Sequence, residues 1–180
     1  MKNIPLLLFL LFSTQLFSQN KYYTKSGTLV FESSVASFEE IKATNNKVTA
    51  ILKDDGKIAA LVLTKGFRFK IALMEEHFNE NHIESSIYPK AKFSGIITDF
   101  SIKNLTEENK KHTINGKLII RNISKKITIS TEIKMVDNFI YITSNFTVTP
   151  EDFNIKIPNI VRKKIAKAVD ISLSFKLKKK

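Results

Sequence analysis

Lys126-Ile127-Thr128-Ile129-Ser130-Thr131-Glu132-Ile133-Lys134-Met135-Val136 alternates apolar and polar side chains with period two. Ile127, Ile129, Ile133 and Met135 share one face with Thr131, and Lys126, Thr128, Ser130, Glu132 and Lys134 share the other. A helix would scatter these residues around its circumference, whereas a strand sorts them onto one dry and one wet face. The C-terminal stretch repeats the pattern: Val169, Ile171, Leu173, Phe175 and Leu177 point one way, and Asp170, Ser172, Ser174, Lys176 and Lys178 the other. One wet face per strand is the signature of antiparallel sheets. Turn residues punctuate the strands. Asp54-Asp55-Gly56 divides Lys47–Lys53 from Ile58–Thr64, Asp137-Asn138 sits at hairpin spacing, and Ser124-Lys125 is expected to precede the 126–136 strand. The reading gives eight or nine strands, near 27–34, 40–53, 57–64, 66–73, 91–102, 112–123, 126–136, 139–148 and 168–178. The third and fourth are either two strands or one strand bent at Gly66. Such a set closes as a barrel or packs as a sandwich, and periodicity alone does not choose between them.

Two segments depart from this rhythm. Met74 to Glu84 is helix-like and acidic. Ile157, Ile160, Val161, Ile165 and Ala168 recur at helical spacing after Pro158, with Arg162, Lys163, Lys164 and Lys167 on the opposite face. The N-terminus reads differently again. Lys2 precedes the dense apolar run Leu6 to Phe12, which is too short to span a bilayer and fits a secretory signal peptide. The division expected is a leader over residues 1–18 and one domain over 19–180, in a periplasmic or secreted protein. The chain has no Cys, so disulfides, thiolate metal sites and cysteine nucleophiles are excluded. Lys and Arg outnumber Asp and Glu by 29 to 17, which points to an anionic surface as partner. Export makes nucleic acid an unsuitable one.

Several phrases together resemble the YceI-like family: Gly27-Thr28-Leu29-Val30-Phe31, the Glu76–Asn81 segment with Ile83-Glu84-Ser85, Tyr88-Pro89-Lys90-Ala91-Lys92-Phe93-Ser94-Gly95, the Asn115–Ile127 stretch, and Phe146–Ile155. Asn122-Ile123 stands where the family often has Gly-Val, and Phe153-Asn154-Ile155 where it often has Phe-Gly-Ile. The resemblance implies an all-β, antiparallel, eight-stranded or nine-segment lipocalin-like barrel with one or two short helices. It also implies a long polyisoprenoid chain held in the interior, with no cofactor and no catalysis.

Eleven of the 14 Phe lie beyond the leader, enough to wall a hollow or to fill a core. The expected apolar lining is Phe31, Phe67, Phe69, Phe93, Ile97, Leu118, Ile120, Ile129, Ile133, Phe146 and Phe153. Phe67, Phe69, Ile71 and Leu73 are expected to share a strand face. Arg68, Lys90, Arg162, Lys163 and Lys164 are the expected contacts for a head group or an anionic membrane surface. Two rivals stand beside this reading. One is a solid barrel with a structural or interaction role. The other is a hydrolase using Glu75, Glu76, His77, Glu80 and His82. His77 and His82 would lie about 140° apart on a helix, unlike a paired His site. No metal ligand set is assigned.

Overall fold

Nine strands form one continuous antiparallel sheet in the computed structural model, which describes residues 20–34, 39–159 and 165–180. The strands are β1 Lys21–Glu32, β2 Lys42–Lys53, β3 Lys57–Leu63, β4 Arg68–Phe69, β5 Lys90–Ile97, β6 Lys110–Ile120, β7 Ile123–Val136, β8 Phe139–Val148 and β9 Val169–Lys179. Their spatial order is β1-β9-β8-β7-β6-β5-β3-β2, and β1 also pairs with β2. That pairing closes an eight-stranded barrel and removes the free edges a sandwich would leave. The two-residue β4 attaches to β2 through Ala43 and Thr44.

Two of the hairpins, β6–β7 and β7–β8, close by mirror-image turns, which match the strand twist but need positive φ at both central residues. Asp137-Asn138 meets this with φ of 49° and 63°. Arg121-Asn122 does the same with 48° and 60°. The β6–β7 turn is therefore at Arg121-Asn122 and not at Ser124-Lys125, which already belong to β7. Asn visits the left-handed region more readily than other non-glycine residues. Asn122 thus meets the backbone demand that glycine would otherwise meet.

The 64–89 excursion differs most from the sequence expectation. A 3-10 turn at Thr64–Gly66 ends β3, and the 66–73 strand reduces to β4. Helix α1 then begins at Ala72, runs to His77, and continues as a π-turn over Phe78–His82. Gly66 serves close approach: a Cβ there would lie 2.5 Å from Asn45 Nδ2. That amide donates to the Leu63 carbonyl at 3.0 Å and pins the corner. Glu75 then accepts from Arg68 at 2.9 Å and from the Phe69 N–H at 3.2 Å, which draws the chain into the helix. Leu73 consequently leaves the expected dry face and is 57% exposed. For the segment expected as helix over 157–169, residues 160–164 lie outside the described residues. The described flanks 155–159 and 165–168 are not helical.

The barrel interior is divided by depth. At the end carrying the Asp54–Gly56 and Asp137-Asn138 turns, Leu52, Ile133, Ile140 and Leu177 are completely buried. Phe100, Ile102 and Leu105, from the β5–β6 connection, pack against this core. Each such aliphatic side chain contributes about 1.5–3 kcal/mol through burial. This end is filled. The opposite end, under α1 and the Arg121-Asn122 turn, is not.

Candidate functional site

Inward side chains of all eight barrel strands surround a cavity of about 720 Å³. Val48, Ile58, Ile114, Ile129, Ile142 and Phe175 line its deeper part. Two hydroxyls also face it, and both are internally satisfied. Thr131 donates to the Thr143 carbonyl at 2.8 Å, and Ser144 donates to the Ser130 carbonyl at 2.5 Å. Among the described residues, the deep cavity therefore offers a ligand neither of these hydroxyls unpaired. Higher up, Phe31, Phe67, Phe69 and Phe78 form an aromatic cluster with ring centroids 5.1–5.7 Å apart. Polar groups enter the lining near the open end, among them Glu39, His77, Asn81 and His82.

Two glycines shape one wall. Gly95 on β5 and Gly116 on β6 are directly paired. A Cβ on Gly116 would lie 2.5 Å from the Phe93 ring. The missing side chain leaves the room that this ring occupies against the wall.

The expected lining residues fall into two groups. Phe31, Phe67, Phe69, Phe93, Leu118, Ile120, Ile129, Phe146 and Phe153 face the cavity. Ile97 and Ile133 do not; they are buried in the filled end, 2% and 0% exposed. Alternation places a side chain inside or outside the barrel but carries no information about depth. The charged candidates are dispersed. Arg68 is spent on Glu75 and on the carbonyls of Lys65 and Phe67. Lys90 is exposed, and neither residue lines the cavity. Arg162, Lys163 and Lys164 lie outside the described residues.

Arg121, absent from the expected set, organises the open end. Its guanidinium donates to Glu84 and to the Asn154 carbonyl, and lies 5.0 Å from the centre of the Tyr88 ring. It thereby ties the β6–β7 turn to the segment after α1, the start of β5 and the Pro150–Phe153 3-10 turn. Its partners are 33 and 37 residues away, beyond any local motif. The same corner accounts for the Tyr88–Phe93 phrase. The Tyr88 and Pro89 carbonyls accept from Thr64 at 2.9 and 3.0 Å, while Ala91 and Phe93 face the cavity.

Among the described residues, no three His, Asp or Glu side chains gather as a metal site. In the 75–82 segment, Glu75 is already engaged by Arg68 and Phe69. His82 is held below its ordinary pKa, first by burial, with His77 adding to the effect and the Lys156 backbone opposing it.

The sequence matches the YceI-like domain over residues 21–177. This chain belongs to the YceI-like family. Solved structures show the same fold at low identity. The YceI-like chain superposes on a polyisoprenoid-binding domain from Saccharophagus degradans, implicated in plant cell wall breakdown. The TM-score is 0.77 at 11% identity, over 88% of this chain and 97% of that one. Burkholderia cenocepacia BcnA gives 0.68 at 15% identity, over 83% and 94%. A Campylobacter jejuni YceI protein gives 0.61 at 16% identity, over 81% and 88%. No curated protein sequence is significantly similar.

Proposed function

We propose that this YceI-like protein encloses the apolar chain of a long amphiphile, such as a polyisoprenoid, and acts as an exported carrier or store. The observation carrying this reading is the apolar cavity of about 720 Å³ at one end of the barrel. The Saccharophagus neighbour, a polyisoprenoid-binding domain of the same fold, supports it. At ~30 Å³ for a water-sized group, the space suits roughly twenty chain carbons. At about 0.8 kcal/mol per buried methylene, that chain gains on the order of 16 kcal/mol gross. Ordering and association cost roughly 4–15 kcal/mol, so binding is favourable without polar contacts to the chain. Selectivity then follows chain length and shape, and homologous lipids are weakly distinguished. The head group stays near the polar open end, beside His77 and Asn81. The protein's part is sequestration, with no bond made or broken. Export belongs to the same reading and rests on Lys2 and the Leu6–Phe12 run.

Mass spectrometry of an organic extract of the natively purified protein tests the proposal. A chain lipid at near-stoichiometric yield is expected. Protein free of lipid that also takes up no added polyprenol would overturn it.

A further inference from the structure

The outer wall of β3, β5, β6 and β7, with Ile51 of β2 at its edge, carries a second pattern. Strand register sets its side chains in rows. One row runs Leu61, Lys92, Ile119 and Ser124. The next runs Ile51, Ala59, Ser94, Lys117 and Lys126. Leu63 pairs with Lys90 above them, and Lys57 pairs with Ile96 below. These rows contain no Asp or Glu. The two Thr64 bonds to the Tyr88 and Pro89 carbonyls bring Lys65 and Ile87 to the upper margin of the same wall. Of the five large apolar side chains most exposed among the described residues, four belong here: Ile51, Leu63, Ile87 and Ile96, at 37–65% exposure. Lys90, Lys92, Lys117 and Lys126 make no ion pair with a described residue.

We infer that this wall docks the protein on an anionic lipid bilayer. Lysines attract acidic head groups, and the interleaved Leu and Ile side chains gain from entering the interfacial layer. A soluble polyanion rewards only the first half of the pattern. The face adjoins the open end through Leu63, Ile87 and Lys90, so docking brings the cavity mouth close to lipid. The inference concerns the outer surface alone and does not depend on what occupies the cavity.

The test uses protein purified from cells expressing the full chain. It is co-sedimented with phosphatidylcholine vesicles, with and without phosphatidylglycerol at roughly one lipid in three. Binding is expected only with the acidic lipid. The triple change Lys90→Gln, Lys117→Gln and Lys126→Gln should weaken it about a hundredfold, at about fivefold per lysine. The change Lys25→Gln, Lys176→Gln and Lys178→Gln removes the same charge on β1 and β9, outside this wall, and should weaken it far less. Leu63→Asn with Ile87→Asn should weaken binding about tenfold at constant charge. Equal losses from both lysine triples would overturn the inference, as would binding that ignores phosphatidylglycerol. Loss with the first triple but none with Leu63→Asn and Ile87→Asn would show attraction by charge alone, with no entry of the apolar side chains into the bilayer, and would also overturn it.

Discussion

His82 lines the cavity, yet burial keeps its ring short of protons. Its folded pKa lies below the ordinary value of 6.5 that the unfolded chain adopts. Above that pH both states are neutral at this residue, and the group does not affect stability. As the pH falls below 6.5, the unfolded chain takes up the proton first, so stability drops until the folded pKa is passed. Melting temperature should therefore fall from pH 7 to pH 5, and His82→Gln should flatten the curve. An unchanged slope in that variant would place the pH dependence elsewhere. Asn122 and Asn154 present a different residue-scale demand, with φ of 60° and 53°. Asn122→Gly and Asn154→Gly should keep or raise stability. Alanine at either site should cost about 1–2 kcal/mol in chemical denaturation, since a Cβ is strained in that region.

Arg121 shows what elements require of one another. Three separate segments converge on its guanidinium, which is mostly buried. Arg121→Ala should cost on the order of 2–3 kcal/mol, discounted from a fully buried pair because Glu84 is one-third exposed. Hydrogen exchange should rise selectively in 78–88 and 150–158, while β7 and β8 away from their turns stay protected. Arg121→Lys should recover little, because one ammonium cannot meet both partners in the same planar geometry. The strands were legible from alternation because period two is a local property, as in Ile127 to Met135. The 64–89 excursion was not. Its course depends on Asn45 holding Leu63, Arg68 holding Glu75, and Thr64 holding Tyr88, and these contacts exist only after the strands have assembled. Arg121 was hidden for the same reason. Among the lining residues, the Phe positions on strands were legible as inward, but Ile97 and Ile133 were indistinguishable from them until depth was known.

At the scale of the whole barrel, one chain serves two packing regimes. The filled end supplies the dense core on which stability depends, and the hollow end lacks part of that packing. Truncations should differ accordingly. Ile133→Ala, in the filled end, should cost about 3–4 kcal/mol because a new void opens in close-packed surroundings. Leu173→Ala removes a comparable side chain from the wall of an existing cavity and should cost about 1–2 kcal/mol, since fewer contacts are lost. The reverse change is more informative. Ala60 on β3 and Ala91 on β5 both face the hollow. Ala60→Phe with Ala91→Phe places two rings in unoccupied space, where overpacking costs little and burial of apolar surface contributes. The variant should melt at or above the temperature of lipid-free wild type while losing its extractable chain lipid. A well-folded variant that still carries lipid at the wild-type ratio would show that the chain lies elsewhere. A variant that unfolds would show instead that the upper barrel is closely filled and that the hollow is not available space.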